Sequence, residues 1–230
     1  VCLASVPKVT GIAAAVIPEC VFIELSGDKD GYILRNAFDE IAPEINGFSA
    51  VSFGCGMGNT EETRKTAEFL LKNVKAPLII DADGINAVSA NINILKDKSG
   101  PLIMTPHPGE FARLSGTSVS WVQSHRIEAA RDFALKYDTV LLLKGANTVV
   151  AAPDGRVAVN TTGNSALAKA GCGDVLTGII GALAAQGTKP FEAAVLGAYL
   201  HGAAADILIK EQAAASVLAS EITDALGKVI

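Results

Sequence analysis

Along the first two thirds of the chain, short unbroken apolar runs alternate with stretches in which apolar residues recur every three or four positions. The runs at 1–5, 21–25, 48–53, 77–81, 101–105 and 139–143 read as strands. Helical spacing covers a piece ending before Pro18, a segment at 33–41 and a long helix over 119–137. Asn59 or Thr60 caps another helix, with Ala67, Leu70 and Leu71 on its apolar face. Residues 149–152 and 156–159 flank Pro153-Asp-Gly155, a hairpin signal. Helices over 174–186, 190–209 and 214–229 close the chain. Continuously apolar strands belong to a mainly parallel sheet covered by helices on both faces, so the fold class is α/β. No linker, low-complexity tract or internal repeat divides the 230 residues, and one domain over 1–230 is expected.

In such sheets ligands sit beyond the carboxyl ends of the strands. Gly54-Cys-Gly-Met-Gly58, Asp81 to Asn86, His107 to Glu110 and Lys144-Gly145 each follow a strand and are expected on one rim. The first motif lacks the full dinucleotide fingerprint. It reads either as a tight strand-to-helix turn or as a place of close ligand approach, with Gly58 the contact candidate. Asp81 and Asp83 serve either turn and cap chemistry or the support of a substrate or metal. Two prolines fix the backbone around His107, which offers a donor and an acceptor, and Glu110 suits a hydrated magnesium ion. Lys144 is either a solvated strand-end lysine or, with Gly145, Asn147 and Thr148, a phosphate-facing wall. Lys169 reads as a phosphate contact or a solvent-facing residue. His125 and His201 fall on helical patterns and read as ordinary helix residues.

The pivotal stretch is Gly171-Cys-Gly-Asp174 and the apolar helix after it, with Val175, Leu176, Ile179, Ile180 and Leu183 on one face. Glycines there let backbone N–H groups turn toward one point, and the helix N-terminus adds partial positive charge, which together suit a phosphate. Asp174 then reads in two ways. It accepts a proton from a hydroxyl attacking a bound phosphoryl group, or it is simply an acid favoured by the helix dipole.

Composition narrows the classes. Half of the residues are hydrophobic and 19% are charged, which excludes a disordered chain. The formal net charge of −5 argues against broad nucleic-acid binding while leaving room for a local basic phosphate pocket. Cys2, Cys20, Cys55 and Cys172 show no Cys-x-x-Cys pair, so neither a disulfide framework nor a zinc site is expected and a reducing cytoplasm fits. No signal peptide or bilayer-spanning apolar run is read.

Taken together, Gly54-Cys-Gly-Met-Gly58, Asp81-Ala-Asp-Gly-Ile-Asn86, Thr105-Pro-His-Pro-Gly-Glu110, Lys144-Gly145 and Gly163-Asn164 through Gly171-Cys-Gly-Asp174 resemble the ADP/ATP-dependent NAD(P)H-hydrate dehydratases of the ribokinase-like superfamily. Their order and approximate spacing fit nearly the whole chain. The resemblance implies a ribokinase-like three-layer sandwich. It implies that Gly58 and the segment with His107, Glu110 and Arg113 contact the hydrated nicotinamide nucleotide. Lys144, Gly145, Ala146, Asn147, Thr148, Asn164, Gly171, Cys172 and Gly173 would contact ADP or ATP, with Mg²⁺ as cofactor held through water by Glu110. Asp174 would meet the substrate as catalytic base. The implied partners are small molecules, with no nucleic acid or membrane, and the chain is expected to be a cytoplasmic homo-oligomer.

Three departures from the family pattern stand out. The chain is expected to lack a glycine-rich strand–turn–helix unit with which members begin. Cys172 replaces a common serine, tolerated because backbone N–H groups bind there. Cys55 stands where proline is usual, making the first glycine turn less rigid. The implied reaction is dehydration of NADHX or NADPHX to NADH or NADPH, through phosphorylation of the ring hydroxyl and elimination of phosphate. A related small-molecule kinase acting on a vitamin precursor and a non-catalytic nucleotide-binding module are the alternatives. The sequence leaves ADP against ATP, and NADHX against NADPHX, open.

Overall fold

A computed structural model describes all 230 residues. It opens with β1 (Cys2–Ser5), α1 (Pro7–Val16) and β2 (Val21–Glu24), whose strands form a separate parallel pair. After α2 (Ala37–Ile41) come β3 (Val51–Phe53), α3 (Glu61–Asn73), β4 (Leu78–Ile80), α4 (Ala82–Ala90), β5 (Leu102–Met104) and α5 (Pro108–Ser115). Then follow α6 (Val119–Ser124), α7 (Arg126–Tyr137), β6 (Val140–Leu143), β7 (Val149–Ala151) and β8 (Val157–Val159). Finally α8 (Cys172–Ala185), α9 (Pro190–Leu208) and α10 (Ala219–Ala225) close the chain.

Strands β3 to β8 form one sheet in strict chain order, parallel through β6 and antiparallel from there on. Right-handed crossovers between parallel strands laid down in order put every connecting helix on the same face. On that face Ile80, Met104, Leu141 and Leu143 pack with Leu70, Leu71, Ile85, Phe111 and Phe133. The alternate residues Ile79, Ile103, Val140 and Leu142 meet Leu176, Ile180, Ala193, Ala194 and Ala198 of α8 and α9. Both faces are therefore dry, which is why the strands read as unbroken apolar runs. Burying a side chain as completely as Ile79, Ile103 or Leu142 contributes about 1.5–3 kcal/mol. No helix is long and apolar enough to cross a membrane.

The structure corrects several element boundaries. The helix expected over 119–137 is two helices, parted at His125 (φ −131°, ψ 37°), so His125 is a junction and not an ordinary helix residue. Ser124 Oγ donates to the carbonyls of Ser120 and Trp121 there, and such side-chain bonds compete with helix continuation. The segment at 33–41 is helical only from Ala37, because Asp28 takes the N–H groups of Asp30 and Tyr32 and Ile33 bridges to Gly27. The helix expected over 214–229 reduces to α10 and a short 3-10 turn, Leu226–Lys228. Lys169 accounts for this. Its Nζ donates to the carbonyls of Ala215 at 2.7 Å and Val217 at 2.5 Å, holding them out of any helix, so this half-buried lysine has its ammonium engaged by the protein. Further along the chain, α8 begins at Cys172, two residues earlier than expected.

Lys169→Met should therefore free the 214–218 segment. Amide hydrogen exchange there should rise, and urea denaturation should show a loss of about 1–2 kcal/mol. Unchanged exchange would mean that the two carbonyl bonds do not hold the segment.

Candidate active site

The carboxyl ends of β3, β4, β5 and β6 meet the first turn of α8 at one rim. Asp81, just after β4, is 1% exposed. It occupies the N-cap position of α4 yet makes no cap bond. Its Oδ1 accepts from Lys144 Nζ at 2.7 Å and its Oδ2 from Thr177 Oγ1 at 2.9 Å. One carboxylate thus ties together β4, β6 and α8. Lys144 Nζ also lies 4.0 Å from Glu110 Oε2. A Cβ at position 173 would sit 3.3 Å from that ammonium, so the absence of a side chain at Gly173 lets the cation rest against the first turn of α8.

Cys172, Gly173 and Asp174 are the first three residues of α8, whose amides lack intrahelical acceptors. The Cys172 N–H is taken by the Lys169 carbonyl at 3.3 Å, while those of Gly171, Gly173 and Asp174 bond to no backbone carbonyl. The exposed Asp174 carboxylate, the buried Asp81 carboxylate and the half-buried Cys55 thiol have ligand atoms within 4.8 Å of one another. Lys144 supplies the compensating positive charge, and both Asp81 oxygens are already engaged. Burial, first, and then the neighbouring Asp174 carboxylate and the negative charge of Asp81 push the Cys55 thiol up to about 12, against Lys144.

The other side of the rim is a relay of polar groups. Asp83 Oδ2 accepts from the Gly58 N–H at 2.8 Å, and Asn86 Nδ2 donates to Asp83 Oδ1 at 3.5 Å. Arg113 donates to Asn86 Oδ1 from Nε at 3.1 Å and Nη2 at 2.9 Å. His107 is the N-cap of α5. Its Nδ1 accepts from the N–H groups of Gly109 and Glu110, and Glu110 Oε2 accepts from the His107 N–H at 2.8 Å. An accepting Nδ1 leaves the neutral ring's proton on Nε2, which faces Glu110 Oε1 at 3.5 Å. The acceptor of His107 is thus committed to the fold.

The rim therefore unites Cys55, Asp81, Glu110, Lys144, Gly173 and Asp174, with Gly58 and Arg113 beside them. Gly145, Ala146 and Asn147 are exposed in the β6–β7 turn, where Thr148 Oγ1 donates to the Gly145 carbonyl at 3.0 Å. Asn164 is held elsewhere: its Oδ1 accepts from the Ala166 N–H, and its Nδ2 donates to Asp206 Oδ1 on α9 at 2.8 Å. Sequence reasoning passed over Thr177, although its spacing of three from Asp174 marks one side of α8. It also passed over Arg126, which supports the β6 end by donating to the Leu143 carbonyl at 2.9 Å, and over Asp206, which carries no local signal. His201 is buried in α9 at 6% exposure, and its Nε2 has no hydrogen-bond partner. Burial pushes this imidazole down to about 4, against the opposing pull of the nearby Cys172 backbone, and the charge on Lys144 acts with burial.

The arrangement belongs to the ribokinase-like class. A ribokinase-like superfamily protein from Enterococcus faecalis superposes with a TM-score of 0.81 at 25% identity, covering 99% of this chain and 75% of that one. The ADP/ATP-dependent NAD(P)H-hydrate dehydratase of Bacillus subtilis, co-crystallized with ATP/Mg²⁺, superposes with a TM-score of 0.83 at 34% identity, covering 99% of this chain and 77% of that one. The family model described as NAD(P)H-hydrate dehydratase matches residues 13–228. The chain belongs to the NAD(P)H-hydrate dehydratase family. A bifunctional NAD(P)H-hydrate repair enzyme from Moorella thermoacetica is 42% identical over 99% of this chain, which spans 43% of that relative's length.

Two outcomes follow from the buried groups. Lys144→Met strands the Asp81 carboxylate and should cost about 3–5 kcal/mol in urea denaturation, much of it recovered when Asp81→Asn is added. A single variant as stable as the parent would show that Asp81 is not held by the pair. For His201, between 6.5 and about 4 the unfolded chain binds a proton that the folded chain does not. Stability should therefore fall as pH drops through that window, by up to about 3 kcal/mol, and His201→Gln should flatten that share of the pH dependence.

Proposed function

We propose that this rim couples cleavage of ADP or ATP to the dehydration of NADHX or NADPHX, restoring NADH or NADPH, with the 230 residues acting as one ribokinase-like domain. Family membership supports the substrate class. The observation that carries the chemistry is the meeting of Lys144, the unpaired amides of α8 and the exposed Asp174 carboxylate at one point.

In this reading Asp174 takes the proton from the ring hydroxyl as that oxygen attacks the terminal phosphoryl of the nucleotide. A carbon–oxygen–phosphorus ester forms and the bond to the departing nucleotide breaks. The N–H groups of Gly171, Gly173 and Asp174 stabilise the transferred charge at the positive end of the helix, and Lys144 binds the nucleotide phosphates. Cys172 contributes less than the glycines around it, since its own N–H is already bonded to Lys169. Phosphate, a far better leaving group than hydroxide, is then expelled by the ring nitrogen's lone pair. Loss of a proton from the neighbouring ring carbon restores the double bond. Gly58, His107, Glu110 and Arg113 line the nicotinamide side, and Gly145 to Thr148 border the nucleotide, while the Asn164 side chain acts only by holding its own turn against α9.

Glu110 fits Mg²⁺ only through water. The side chain is buried, Oε2 holds the His107 N–H, and Oε1 faces the His107 ring. The ion would supply neutralising charge to the nucleotide phosphates.

Incubation with NADHX and ADP, or ATP with Mg²⁺, should restore NADH absorbance. A kinase would instead retain a phosphorylated product, and a binding module would release no phosphate. Asp174→Asn should lower turnover by about 10²–10⁴-fold while calorimetry shows nucleotide affinity largely intact. Near-normal turnover in that variant would remove Asp174 from the base role.

A further inference from the structure

Cys55 is the one member of the rim cluster that the proposed reaction leaves idle. Its position is fixed by the turn that carries it. Gly54 has φ +121°, and a Cβ there would run into the Asp81 carbonyl oxygen and lie 2.7 Å from the Gly84 nitrogen. The Gly54 carbonyl also accepts from the Asp83 N–H at 3.2 Å. The turn is thereby clamped to the start of α4. The next side chain, Cys55, reaches the first turn of α8, within 4.8 Å of carboxylate oxygens of both Asp81 and Asp174.

The two carboxylates differ in what else they hold. Asp81 is saturated by Lys144 and Thr177. Asp174 is exposed, and its carboxylate has no hydrogen-bond partner in the structure, while the Cys55 Sγ lies within 4.8 Å of it. An exposed, unpartnered carboxylate rotates freely about its side-chain bonds, and a base must be within hydrogen-bond reach of the proton it removes. Carboxylates only accept, so a thiol between two of them serves as donor. The groups facing it are Asp174, Asp81 and Lys144, and burial with the two acids keeps the proton on sulfur.

We propose that Cys55 is a positioning residue: its thiol donates to Asp174 and holds that carboxylate toward the rim for proton transfer. The role in turnover rests on the reading of Asp174 as base; the contact itself does not.

Two measurements separate these. The first needs no turnover. Because the thiolate is the reactive form, removing the Asp174 charge should speed alkylation of Cys55. Site-resolved mass spectrometry after iodoacetamide should show Cys55 of Asp174→Asn modified at least about threefold faster than in the parent chain, with Cys20 unchanged as the internal reference. Equal rates at Cys55 overturn the contact. The second is kinetic. Cys55→Ala should lower kcat about three- to tenfold at unchanged nucleotide KM, and Cys55→Ser, which retains a donor, should recover most of it. Thermal melts establish that each variant is folded. Parental kcat in Cys55→Ala, or no recovery in Cys55→Ser, overturns the positioning role. A parent chain without dehydratase turnover sinks the functional reading and the positioning role together, and the alkylation rates still decide the contact.

Discussion

Asp81 and Lys144 reach each other across the end of β5, which lies between their two strands in the sheet. The chain must therefore turn sharply out of the way after β5, and the Pro106 carbonyl accepts the Lys144 N–H as it does so. An ion pair this deeply buried adds little net stability, because desolvation offsets most of the attraction. Its value is positional. With Thr177 as third partner, the pair fixes where the ammonium stands relative to the open amides of α8, and that distance is the one the proposed phosphoryl transfer depends on.

The two helical layers divide the work accordingly. The crossover helices stabilise the sheet, and α4 and α5 carry Asp83, Asn86 and Arg113 of the relay that reaches the Gly58 N–H. From the opposite layer, α8 brings the Asp174 carboxylate and the open amides of its first turn, and α9 lies behind it with small residues at the contact. Gly197 permits this approach, since a Cβ there would press on Ile180 at 2.6 Å. An idle histidine, His201, sits in that tight packing and stays neutral because it is dry.

What the sequence made legible was whatever depends on neighbours along the chain. Strand runs, the hairpin around Pro153-Asp-Gly155 and the convergence of polar motifs on one rim all follow from local pattern and from the geometry of parallel sheets. The break at His125 was hidden because the apolar spacing continues through it; only the competing bonds of Ser124 stop the helix. Residues 214–218 look helical until a distant lysine claims their carbonyls. His107 was singled out as chemistry, and its first task is to cap α5, an unusual use of imidazole that no propensity scale anticipates. The Cys55 thiol and Asp206 were equally invisible, since each owes its meaning to a segment far along the chain. Asp81 was read as support without its partners.

The sheet's strict chain order bears on how the protein is made. Each strand from β4 onward finds its neighbour already synthesised, so the sheet grows one edge at a time as the polypeptide leaves the ribosome. The bonds that gather at Asp81 span 63 residues to Lys144 and 96 to Thr177, so they close well after the strands beside them. A nascent chain halted before α8 has emerged holds most of its scaffold and none of the open amides at the α8 N-terminus. In the proposed reaction, the capacity to handle a nucleotide arrives only with the last third of the polypeptide.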